Sequence, residues 1–84
     1  MFLEIINAKY LNNYKILLGF SDGITKIVDL QEHLEGAIFL PLKDKKYFKS
    51  FSINLNTIEW ENGADFAPEF LYEIGIPTKK IVVS

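Results

Sequence analysis

The only histidine of the chain, His33, stands four residues after Asp29 and between Glu32 and Glu35. Residues four apart share one face of a helix, so Asp29 and His33 could together hold a cation. A Ser-His-Asp relay or a multi-histidine metal cage would have to be built around this single imidazole. The surrounding polarity reads more simply as a solvated turn, and no metal is assigned. Three carboxylates, Glu59, Glu61 and Asp65, cluster around Trp60 and could serve as a general acid and base. On a strand, however, Glu59 and Glu61 point to the face opposite Trp60, which sends the indole to the core and the carboxylates to water. Lys43, Lys45, Lys46 and Lys49 interleave with Tyr47 and Phe48, the aromatic-plus-cation composition of single-strand binders. As a helix the same segment has its lysines around a solvent face while the two aromatics pin it to a sheet.

The five glycines occur singly, and none forms a clustered phosphate-wrapping loop. There is no cysteine, which removes disulfides, thiolate zinc sites and thiol nucleophiles and fits a reducing compartment. All nine positive charges are Lys, set against eleven Asp and Glu for a formal charge of −2. Phosphate-tracking surfaces are normally basic, and base readout leans on the guanidinium fork that is missing here. Direct nucleic-acid binding by this chain alone is therefore not expected. No basic-then-apolar leader opens the sequence, and no apolar run reaches the ~18 residues of a membrane span. The expectation is a cytoplasmic, non-enzymatic domain without cofactor.

What must position these residues is one small domain over residues 1–84. A chain of this size buries only about 60 to 65% of its unfolded surface, so dimer formation would help it. Apolar alternation predicts strands over 2–8, 14–20 and 24–28. Leu11-Asn12-Asn13 and Ser21-Asp22-Gly23 supply the turns of an antiparallel three-stranded meander. Asp29 is expected to cap a short helical turn through Leu34, ended by Gly36. A short amphipathic helix follows at 44–50, then a second β-hairpin, 51–53 with 57–60, around Asn54-Leu55-Asn56. Asn62-Gly63 turns the chain into a carboxy-proximal helix, with Pro68 at its first position and Gly75 past its last. Residues 76–84 form a tail, read as an extra edge strand or a partner-contacting segment through Ile81 to Val83. The fold class is α+β, with Phe20, Ile27, Phe48, Trp60, Phe70 and Leu71 among the predicted core.

In order, Phe20-Ser21-Asp22-Gly23, Val28-Asp29-Leu30, Pro41-Leu42 before Phe48, Ile58-Glu59-Trp60 with Asn62-Gly63-Ala64-Asp65, then Pro68 and Leu71-Tyr72 form a pattern that resembles Domain of Unknown Function family 2442. The resemblance spans about Phe2 to Gly75 and is most specific from Trp60 to Tyr72. It implies a small bacterial α+β domain, sometimes followed by a helix-turn-helix DNA-binding domain and frequently encoded beside a second small protein in toxin–antitoxin-like arrangements. It implies no enzyme activity. This chain departs from the pattern at Ala67, where a capping Ser or Asp is physically preferred, and in a tail too short for an appended helix-turn-helix.

Two functions follow as expectations. One is a protein-binding module, an antitoxin-like partner of a neighbouring small protein, acting through a strand edge, the Asn62 to Asp65 loop or the tail. The other is a small-ligand sensor with a pocket near Trp60, Asp65 and Tyr72. Trp60, Asn62, Gly63, Asp65, Tyr72 and Asp29 are the candidate interaction residues.

Overall fold

The computed structural model describes residues 2–78. Six strands and two helices alternate with short 3-10 segments: β1 (Ile5–Asn12), β2 (Lys15–Phe20), β3 (Thr25–Asp29), α1 (Lys45–Phe48), β4 (Ser52–Asn54), β5 (Thr57–Glu59), α2 (Pro68–Ile74) and β6 (Ile76–Pro77). The 3-10 segments, Gln31–His33 and Ala37–Lys43, lie between β3 and α1. The main sheet has the order β1-β2-β3-β6, every pair antiparallel, and β4 and β5 form a separate hairpin. The α+β meander, helical connection, second hairpin and carboxy-proximal helix are thus all present.

Turn chemistry accounts for most of the connections. Asn13 takes a φ of 47° between β1 and β2, a conformation that Asn tolerates better than most residues. Gly23, with φ 88°, closes the second turn beside Asp22, whose Oδ1 accepts the Ile24 N–H at 2.9 Å. Asp29 Oδ1 accepts the Gln31 N–H at 3.1 Å and starts the expected turn, which is a 3-10 turn of three residues. Asp44 accepts from Lys46 N–H and caps α1.

β1 differs from its predicted span, starting at Ile5 and running on to Asn12 through two register irregularities, between Ile5 and Asn7 and between Tyr10 and Asn12. The inner face of the sheet buries Ile16, Leu18, Phe20 and Val28, and α1, α2 and the second hairpin add Phe48, Leu71, Ile58 and Trp60. Leu30, Leu34 and Leu42, from the loops around the 3-10 segments, complete this core. Phe70 packs against it half-buried, stacked on Phe66.

The predicted orientation of β3 is reversed. Ile27 is not a core residue: it faces the outer side, in register with Leu17 of β2 and Ile76 of β6. Lys26 turns inward instead and is only 8% exposed. Its ammonium Nζ donates to the Tyr72 carbonyl at 2.7 Å and stands 3.5 Å from the centroid of the Tyr72 ring. The Tyr72 carbonyl belongs to the last turn of α2, where carbonyls lack intrahelical donors and the helix dipole favours a cation. Lys26 therefore caps a helix remote in sequence, and its stem covers apolar surface.

That contact also corrects the reading of Gly75. It ends α2 in extended backbone, φ −71° and ψ 147°, and not as a left-handed cap. A Cβ at this position would lie 2.9 Å from Lys26 Cβ and 3.0 Å from the Leu71 carbonyl oxygen. Glycine is required here by close approach. Beyond it, Ile76 and Pro77 pair with Ile27 and Lys26, so the start of the tail is an edge strand; Ile81 to Val83 lie outside the described residues. Gly75→Ala is expected to cost ~1–3 kcal/mol through this overpacking, read as a lower urea midpoint with unchanged slope.

Candidate interaction surfaces

The Asn62 to Asp65 loop is built as a clamp. Trp60 N–H donates to the Ala64 carbonyl and Gly63 N–H to the Trp60 carbonyl, both at 2.9 Å, with Gly63 at φ 90°. The Asn62 side chain is used at both ends: Oδ1 accepts the Ala64 N–H at 3.0 Å, and Nδ2 donates to the Ile38 carbonyl at 2.9 Å. Its backbone N–H donates to the Tyr47 hydroxyl at 3.0 Å. Asn62 and Gly63 are thus turn-makers that tie the loop to the second 3-10 segment and to α1. Asp65 is exposed, and it forms an isolated bridge with Glu59. Glu59 Oε1 accepts from Asn54 Nδ2 at 2.7 Å across the hairpin.

Trp60 belongs to the interior. Its indole N–H donates to the Phe48 carbonyl at 2.9 Å, and its ring packs against Phe48, Phe51 and Phe66. Tyr72 points to a different neighbourhood: its ring meets Phe20 edge-on at 5.0 Å, and its hydroxyl donates to Asp22 Oδ2 at 2.8 Å. Trp60, Asp65 and Tyr72 therefore do not share a pocket, because one is core, one is solvated and the third is engaged with the β2–β3 turn. Among the described residues no group of three or more His, Cys, Asp or Glu side chains is placed to hold a metal ion. No described helix is long and apolar enough to cross a membrane.

Asp22, Lys26 and Tyr72 form the cluster that sequence reasoning missed. The Ile24 N–H, and after it the Tyr72 hydroxyl, hold the Asp22 carboxyl below its ordinary value. The same hydrogen bond, with burial second, raises the Tyr72 phenol. Asp22 and Tyr72 are each visible in the sequence as motif residues, but nothing local signals that residues fifty apart meet.

Two further surfaces emerge. A cleft of about 600 Å³ opens on the outer face of the sheet, walled by Leu11, Ile27, Ile74 and Ile76. Asn12, Lys15 and Asp29 supply its polar side, with His33 as well. The His33 ring meets Phe70 edge-on at 5.2 Å. Asp29 is thus the one candidate interaction residue that lines this cleft. At the other end of β1, the Ile5 N–H bonds the Asn56 carbonyl at 2.9 Å and brings the β4–β5 turn alongside. Large apolar side chains are exposed on the segments that meet here: Leu55 at 94% and Ile53 at 41% in the hairpin, Ile6 at 58% in β1, and Phe2 at 85% three residues before β1.

The architecture is that of a small α+β domain with two surfaces that none of the described residues covers. A family model described as "Protein of unknown function (DUF2442)" matches residues 5–77, and the chain belongs to that family. No curated protein and no solved structure matches the chain.

The shifted groups carry a pH signature. Because the folded state lowers the Asp22 pKa, its contribution is present above the ordinary Asp value of 3.8 and is lost as pH falls through the folded value. Because it raises the Tyr72 pKa, that contribution is present below 10.0 and is lost as pH rises through the folded value. Tyr72→Phe should lower the urea midpoint at neutral pH, weaken the acid decline without abolishing it, and remove the alkaline one. A series of urea titrations across pH reads all three, and an unchanged acid decline would show that the hydroxyl does not hold Asp22.

Proposed function

We propose that this chain is a non-enzymatic protein-binding module whose partner-facing surface is the apolar patch around the β4–β5 turn. The observation that carries the reading is Leu55. In a two-residue hairpin loop this position, with φ positive at the first loop residue alone, normally takes Gly, yet Leu55 stands there at φ 59° and almost fully exposed. The left-handed conformation costs an L-residue roughly 1–2 kcal/mol, and a solvated leucine gains nothing from burial in return. A large apolar side chain held outward at such a cost, with Phe2, Ile6 and Ile53 nearby, has the composition of a docking patch. The occupant we assign is a second small protein with a complementary apolar recess, in a cytoplasmic, antitoxin-like pairing of the kind the family resemblance implies. The hairpin tip is not one of the surfaces expected from the sequence, which are a strand edge, the Asn62 to Asp65 loop and the tail; of these, the Asn62 side chain is spent on its own turn and on the Ile38 carbonyl.

The test separates function from stability by sign. Leu55→Asn should stabilise the isolated domain by about 1 kcal/mol, since Asn adopts the left-handed region at lower cost. It should also remove the chain from a stoichiometric complex formed on co-expression with the adjacent small reading frames, measured by tagged pull-down and light scattering. A more stable variant that keeps its partner would place binding elsewhere, and a homo-oligomer with no second protein would end the proposal.

A further inference from the structure

The outer-face cleft lies at the opposite end of β1 from the hairpin tip, and its chemistry is divided. Lys15 pairs in register with Asn12 on one side and Asp29 on the other, making one polar row across three strands. Beside that row stand Ile27, Ile74 and Ile76, an aliphatic wall supplied by β3, α2 and β6. Asp29 is held in place, since Oδ1 accepts the Gln31 N–H, which uses one of its two oxygens. A smaller recess of about 230 Å³ shares Asp29 and His33 and adds Glu32, so negative charge continues on that side while Lys15 supplies the positive charge. The main cleft, at about 600 Å³, falls within the ~300–1,000 Å³ of small-molecule sites, which pair apolar walls with a few converging polar groups.

A simple anion here would meet Lys15 but also Asp29, and a simple cation would meet the reverse. A molecule that carries both charges on neighbouring atoms satisfies both groups at once. We infer that this cleft binds a free aliphatic α-amino acid. Its carboxylate lies on the Lys15 ammonium, its ammonium on the Asp29 carboxylate, and its branched side chain on Ile27, Ile74 and Ile76. Charge-assisted hydrogen bonds fix the head, and burial of the hydrocarbon selects leucine-like side chains over small or polar ones.

The experiment is a titration of the full chain with L-leucine, followed by calorimetry and by backbone amide shifts. Isocaproate, isopentylamine and glycine serve as probes that lack the ammonium, the carboxylate and the side chain respectively. Leucine should shift the amides of Asn12, Lys15, Ile27, Asp29 and Ile76; isocaproate and isopentylamine should each bind about tenfold or more weakly through the loss of one charged contact, and glycine about tenfold or more weakly through the loss of the buried hydrocarbon. Asp29→Asn, which keeps an acceptor for Gln31, and Lys15→Met, which keeps the stem, should each weaken leucine to a similar degree without moving the urea midpoint. No leucine-dependent shift at millimolar concentration, equal binding of isocaproate, or shifts scattered away from the cleft would overturn the assignment. Leu55→Asn should leave the titration unchanged, so failure of the partner-binding reading and failure of this one are separable.

Discussion

The fold depends on where one lysine puts its charge. Lys26 is the second residue of β3, and burying its ammonium without a partner would be prohibitive. The partner comes from the last turn of α2, where the Tyr72 carbonyl and the face of its ring receive the cation. Once that contact exists, much else is constrained. Val28 must face inward and Ile27 outward, by the two-residue period of a strand. α2 must end beside β3, and the chain leaving it must pass so close to Lys26 that only glycine fits at position 75. From there the backbone falls into register as β6, and the Tyr72 hydroxyl reaches the β2–β3 turn at Asp22. A helix cap, a strand orientation and a sheet edge therefore rest on one cation.

The same lysine marks the limit of what the sequence discloses. The three-stranded meander, the second hairpin and both helices are legible because their signals are local: Asn13, Asp22-Gly23 and Gly63 at turns, Asp44 before α1, Pro68 opening α2. The faces of β3 are not legible. Its two alternating sets are Ile24, Lys26 and Val28 against Thr25, Ile27 and Asp29, and a lysine in the first set disguises the more apolar one. Only a carbonyl forty-six residues away decides between them. Gly75 misleads for a related reason, since a glycine after a helix reads as a left-handed cap unless the neighbouring strand is already in view.

The candidate surfaces divide along the same line. Asn62 and Gly63 are recognisable as turn chemistry, and the structure accounts for every polar group of the Asn62 side chain within that role. Trp60 draws attention as a rare aromatic, but its indole is committed to Phe48. The outer cleft draws side chains from β1, β2, β3, α2 and β6, and its polar row exists only through strand pairing. Asp29 and His33 are the two residues of this region that the sequence singles out, as a possible cation pair; Asp29 reads there as a helical cap as well, whereas in the structure Leu30 holds the cap position and Asp29 accepts the Gln31 N–H beside it.

The clasp between Lys26 and Tyr72 has a consequence for the chain as it is synthesised. Domains form from the amino-terminal end during translation, and the first three strands emerge well before the helix that receives Lys26. Until residues 72–78 appear, the lysine has nowhere dry to go and β3 has an open edge. The nascent meander is therefore held in a provisional state, with its lysine in water, and the interior closes around Lys26 only once residues 72–78 have emerged. A product cut short before residue 72 would keep that ammonium in water and leave β3 with an unpaired edge, an incompletely closed meander of the kind that proteases cut readily.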